Sequence, residues 1–100
     1  MIARKPLARG NKVSVTFSVP AENAHNSVSV VGDFNEWDDS AHALKLSKKD
    51  GAWKKAVQLA PGRYEFRYFV DGERWENEPE ADDHVWSPFF SQNSVIVVEA

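Results

Sequence analysis

The chain has 100 residues, 42% of them hydrophobic and 27% charged, with a formal net charge of −3. Those values describe one globular domain and exclude a disordered or collagen-like chain, the basic footprint of a nucleic-acid binder and attraction to anionic membranes. With no cysteine, disulfide frameworks, thiolate metal sites and cysteine nucleophiles are excluded as well.

The longest apolar run, Val95 to Val98, falls far short of the ~20 residues of a transmembrane helix. The N-terminus MIARKPLARG has charge but no apolar core, so a cytoplasmic chain without a signal peptide is expected. Residues 1–11 read as a segment that frays, and residues 12–100 as a single domain.

Hydrophobic residues alternate with a period of two along most of the chain, the mark of half-buried strands. Val13, Val15, Phe17 and Val19 form a first strand that Pro20 stops. Val28, Val30 and Val31 form a second, ended at Gly32-Asp33. Asp38 to Ala43 has room for one helical turn. Leu44 and Leu46 bracket a weaker strand. Trp53, Val57 and Leu59 share one face of the next, which Pro61-Gly62 closes. Tyr64, Phe66, Tyr68 and Val70 make the clearest amphipathic strand. Asp71-Gly72 follows, a pair suited to a type I′ hairpin in which both turn residues take positive φ. Arg74 and Trp75 lie on the returning strand. Ser94 to Glu99 is apolar on both faces and therefore central or covered. Six to eight such strands predict an all-β antiparallel sandwich. Between them, Glu76 to Asn93 reads as a long aromatic-bearing loop, and loops of that length tend to be functional.

The composition stands out in its 12 aromatic residues, of which four are Trp. Phe17, Trp53, Tyr64, Phe66 and Tyr68 follow the inward phase of their strands and are expected in the core. Trp37 and Trp75 belong to no apolar stripe. Either they fold back over a sheet edge or they face solvent as platforms for a ligand. The apolar C–H face of a pyranose ring stacks on an indole, while neighbouring polar groups bond its hydroxyls. Arg67, on the face opposite Phe66 and Tyr68, and Asn93, before the last strand, are suited to that second task.

Together these residues match a family. Val30 to Trp37, with Gly32, Phe34, Asn35 and Trp37, resembles the GxFNxW signature of glycogen- and starch-binding modules. Such modules occur in the β subunits of AMP-activated protein kinase and as early-set N-terminal domains of isoamylases and glycogen branching enzymes. The resemblance continues through Trp53, the block Leu59 to Gly72, Trp75 with Pro79, and the Asn93 to Val98 ending. It implies an immunoglobulin-like early-set sandwich that binds α-1,4-linked glucan without catalysis, needing no cofactor or metal. Trp37 and Trp75 fall on the family's stacking tryptophans, Arg67 on its basic residue, and Asn93 on the Asn that bonds hydroxyls. Phe89 stands where a Leu is common in the residue that projects through the glucan's curve, and Ser91 replaces a Thr. Glu76-Asn77-Glu78-Pro79 departs from the family's usual HDP.

The alternative is an early-set structural or interaction domain that keeps the fold but has lost sugar binding, beside a catalytic or regulatory protein partner, and Trp86, Phe89 and Phe90 would suit such an interface. An enzyme is disfavoured because Asp38-Asp39 and Asp82-Asp83 are adjacent pairs whose side chains point apart on extended chain. His25, His42 and His84 are scattered through loops without a nucleophile.

Overall fold

The computed structural model describes residues 2–6, 10–88 and 91–99. Among them are nine strands: β1 (Ile2–Pro6), β2 (Val13–Pro20), β3 (Val28–Gly32), β4 (Lys45–Ser47), β5 (Ala52–Leu59), β6 (Gly62–Val70), β7 (Arg74–Glu76), β8 (Asp83–Trp86) and β9 (Gln92–Val98). They form two antiparallel sheets, ordered β1-β2-β5-β4 and β3-β6-β9-β8, with β7 pairing β6. The sheets pack into a β-sandwich, the architecture expected from the alternation.

The inward phase of each strand supplies the core. Val13, Val15, Phe17 and Val19 of β2 meet Val28 and Val30 of β3, Phe66, Tyr68 and Val70 of β6, and Ile96 and Val98 of β9. Phe17 is the hub, with Phe66 edge-on at 5.1 Å and Phe34 stacked at 5.6 Å between ring centroids. Burying each such ring stabilises the fold by about 1.5–3 kcal/mol. Trp53 packs against this cluster. Tyr64 does too, and its hydroxyl donates to Ala60 O at 2.7 Å, tying the β5–β6 corner.

The Asp71-Gly72 turn has the predicted backbone, φ 55° and 70°, and Glu73 N–H closes it onto Val70 O at 3.1 Å. Pairing resumes one residue later, at Val70–Arg74. The Asp71 carboxylate also accepts the N–H groups of Asn26, His25 and Ser27 at 2.7, 2.9 and 3.1 Å. Those bonds, that of Asn26 foremost, lower its pKa.

Three departures from the sequence reading have physical reasons. The segment 76–93 is not all loop: β8 inside it pairs with β9 from Asp83–Val95 to Trp86–Gln92, which makes β9 central. Leu44 and Leu46 do not act together, since Leu44 is buried before the strand begins while Leu46 lies exposed on edge strand β4. Ile2–Pro6 forms β1 against β2, within the segment 1–11 that the sequence reads as fraying.

Buried polar groups hold the β7–β8 connection. Glu78 is fully buried; its Oε1 accepts Tyr68 O–H at 2.8 Å and its Oε2 accepts Glu80 N–H at 2.9 Å. Glu78 N–H donates to Ser94 Oγ, whose own proton goes to Asn77 Oδ1, both at 2.8 Å. Burial, and then the Glu78 carboxylate, push the Tyr68 hydroxyl far above its ordinary pKa, so it stays a donor.

Candidate functional site

The outer face of the β3-β6-β9-β8 sheet carries the site, and strand pairing explains its position. On one edge, β6 pairs with β3 from Phe66 to Val70. On the other it pairs with β9 from Gly62 to Phe66 and then with β7 from Tyr68 to Val70. The second edge therefore changes partner at Arg67. A gap opens there between β7, which carries Trp75, and β9, which carries Asn93. An open groove of about 530 Å³ occupies this place, within the range of small-ligand sites.

Trp37, Arg67, Trp75, Ser91 and Asn93 all line this groove. Five of the six residues singled out in the sequence thus come together; the sixth, Phe89, lies outside the described residues. Trp37 is 37% and Trp75 47% exposed, so neither is a core ring.

Trp37 is presented by an unusual turn. Glu36 and Trp37 both have φ 57°, a left-handed conformation that costs non-glycine residues on the order of 1 kcal/mol each or more. The surrounding motif holds it in place. Gly32 lets the chain cross β6 closely, since a Cβ there would collide with the carbonyl oxygen of Glu65 and approach Phe66 Cβ to 2.7 Å. Phe34 anchors the turn on Phe17. Asn35 Oδ1 accepts Gly32 N–H at 3.0 Å, while its Nδ2 donates to Val30 O at 3.0 Å and to His42 Nδ1 at 2.8 Å. Trp37 N–H closes the turn on Gly32 O at 3.0 Å. Asp33 then fixes the indole: Oδ1 accepts Trp37 Nε1–H at 2.9 Å and Oδ2 accepts Glu65 N–H at 2.8 Å. The indole N–H is engaged within the protein, which leaves the ring face as the surface available to a ligand.

Trp75 is held differently. It pairs across strands with Phe69, ring centroids 4.5 Å apart and planes 34° apart, so the two rings form one platform. Between the tryptophans runs a polar chain. Arg67 Nε donates to Asn93 Oδ1, and its guanidinium also donates to Ser91 Oγ at 2.6 Å and Ser87 Oγ at 3.3 Å. Asn93 Nδ2 donates to Glu65 Oε1 at 3.0 Å. Asn93 is only 7% exposed, inside β9 rather than before it, and is held by these bonds as a fixed wall of the groove.

Asp33, Glu65, Ser87 and Phe69 were not picked out from the sequence. Phe69 and Glu65 share the outward phase of Arg67, a signal that was available. Asp33 and Ser87 meet the site only through the turn and the β8–β9 connection.

Three of the other candidates for chemistry, Asp82, Asp83 and His84, make structural contacts. Asp82 pairs with Arg4 and accepts Val97 N–H, Asp83 pairs with Arg63 at 3.4 Å, and His84 Nε2 bonds Glu78 O at 2.9 Å. Trp86, 72% exposed, lies on edge strand β8 and does not line the groove. Among the described residues no helix is long and apolar enough to cross a membrane.

Two exposed indoles flanking a polar groove on a β-sandwich offer the apolar faces and polar groups that a pyranose ring would take up, as in carbohydrate-binding modules. Residues 13–86 match the family described as the glycogen recognition site of AMP-activated protein kinase, and the chain belongs to that family. It is also similar to 1,4-alpha-glucan branching enzymes. It is 48% identical to that of Rhizobium johnstonii over 61 residues, 59% of this chain and 8% of the relative. With the enzyme of Paraburkholderia xenovorans the figure is 39% over 67 residues, 65% of this chain and 9% of the relative. With that of Xanthomonas axonopodis pv. citri it is 37% over 70 residues, 69% of this chain and 9% of the relative. The chain thus spans less than a tenth of the length of these relatives.

Proposed function

We propose that this domain is a non-catalytic module that binds α-1,4-linked glucan such as glycogen, starch or maltooligosaccharide in the groove over β6. Trp37 and Trp75 stack on glucose rings, and Arg67, Ser91 and Asn93 bond their hydroxyls. The observation that carries this reading is the convergence of two exposed indoles on one groove with Arg67 and Asn93 between them. An open groove leaves much of the ligand wet, so affinity is modest, and a neutral ligand makes it nearly independent of salt. Any glucan-modifying activity of a longer protein containing this domain resides outside these residues, and the domain's part is to hold the polymer near that partner.

The test is co-sedimentation with glycogen. The wild-type domain is expected in the pellet at low and high salt alike, and Trp75→Ala in the supernatant with its fold intact. A folded wild type that stays in the supernatant, or a Trp75→Ala variant that pellets equally well, overturns the reading.

A further inference from the structure

A sugar hydroxyl both donates and accepts, so a groove that binds a row of them must offer acceptors as well as donors. The donor side is plain in Arg67, which has no acceptor atom. The acceptors are largely engaged within the protein. Asn93 Oδ1 takes Arg67 Nε–H and Ser91 Oγ takes the guanidinium at 2.6 Å. Asp33 gives one oxygen to the Trp37 indole at 2.9 Å and the other to Glu65 N–H at 2.8 Å. Glu65 differs from these. Its Oε1 accepts Asn93 Nδ2–H at 3.0 Å, while among the described residues its Oε2 takes no hydrogen bond, and the half-buried side chain lines the groove.

We propose that Glu65 is a sugar-contacting residue: its Oε2 accepts the hydroxyl proton of a glucose unit lying over β6, next to the donor Arg67. Residues 65 and 67 project from the same face of one strand, about 7 Å apart along it. Their polar ends converge on the one amide of Asn93, which takes Arg67 Nε–H and donates to Glu65 Oε1, so neighbouring hydroxyls of one ring meet an acceptor and a donor side by side. The Asn93 bond fixes the carboxylate, so little side-chain entropy is lost when the sugar arrives. This assignment rests on the glucan-binding reading and adds to it a charged acceptor for a sugar hydroxyl.

Glu65→Gln separates the two roles of the side chain. The amide carbonyl still accepts Asn93 Nδ2–H, whereas the atom facing the sugar becomes a donor. Calorimetric titration with maltoheptaose is carried out on wild type, Trp75→Ala and Glu65→Gln, with the indole N–H resonances of Trp37 and Trp75 as the check on groove geometry. A hydrogen bond to a charged group contributes enough that Glu65→Gln is expected to bind at least about fivefold more weakly, with both indole resonances unmoved. A smaller loss overturns the assignment. If the wild type binds and Trp75→Ala does not, while Glu65→Gln matches wild type, the stacking site stands and Glu65 alone is refuted. A wild type that does not bind refutes the glucan reading itself, and this assignment with it. Should Glu65→Gln fail to fold, the side-chain carboxyl ¹³C resonance of Glu65 in the wild type decides: it shifts on saturation with maltoheptaose, or the assignment falls.

Discussion

Replacing Gly32 by Ala tests the link between the sandwich and its binding face. Gly32 is extended, so the backbone conformation itself admits alanine. The obstacle is proximity: the added methyl would overlap the carbonyl oxygen of Glu65 and come within 2.7 Å of Phe66 Cβ. Neither obstacle is the end of a flexible side chain. Glu65 and Phe66 lie in the central strand β6, and Phe66 is fully buried. Strand β3 must therefore move away from β6, stretching the Gly32–Phe66 end of their pairing. Overpacking of this kind costs about 1–3 kcal/mol. For a domain of this size each kcal/mol lowers Tm by about 4–8 °C. The same movement separates Asp33 from Glu65 N–H and releases the Trp37 indole, so glucan affinity should fall along with stability. Thermal unfolding by circular dichroism, with Gly51→Ala for comparison, is the assay. A methyl at Gly51 would meet nothing within 4 Å, but φ there is 65°, so its alanine variant bears only the backbone cost. It should lose about 1 kcal/mol and no affinity. A Gly32→Ala protein that melts and binds like wild type would refute the close-approach reasoning.

Other consequences are independent of that one. Glu78→Ala leaves the Tyr68 hydroxyl buried without its acceptor at 2.8 Å and opens a cavity; urea unfolding should show a loss of about 3 kcal/mol, and a loss under 1 would contradict the network's role. Phe69→Ala removes the ring stacked 4.5 Å from Trp75, and should weaken glucan binding by about 0.5–1.5 kcal/mol although Phe69 itself need not touch sugar. The Asp71 carboxyl titrates below its ordinary 3.8 because folding supplies it with backbone donors. Its stabilising contribution is therefore complete above about pH 3.8 and is lost as pH falls below that value through the folded pKa. Tm measured against pH should converge for wild type and Asp71→Asn under those acid conditions, and a constant gap down to the lowest pH would contradict the bonding of Asp71.

Much of this arrangement could be read from residue types because the sheet period is strict. Once Phe66, Tyr68 and Val70 point inward, Arg67 has to point outward, and the Asp71-Gly72 turn has to return Trp75 alongside it. The exposure of Trp37 and Trp75 was legible as an absence of pattern, each indole lying outside every apolar stripe. What remained hidden depends on contacts distant in sequence. The pairing of β8 with β9 was obscured because Asp83 to Trp86 is short, half-exposed and has no alternation, so only its partner defines it as a strand. Asn93 appeared to precede the last strand because Gln92-Asn93-Ser94 is polar, yet Arg67 and Glu65 satisfy Asn93 and Asn77 satisfies Ser94. Asp33 looked like a turn residue, and its function as a clamp between Trp37 and β6 depends on Glu65, 32 positions away. Trp86 remains an exposed ring that the groove does not use.

The central claim is that the two indoles bind glucan. Its most direct test is calorimetric titration of the domain with β-cyclodextrin, repeated on Trp37→Ala and Trp75→Ala after their folds are verified. Saturable heat is expected for the wild type, and its loss in both variants. A folded wild type that gives no heat, or variants that bind as tightly as it does, would contradict that claim.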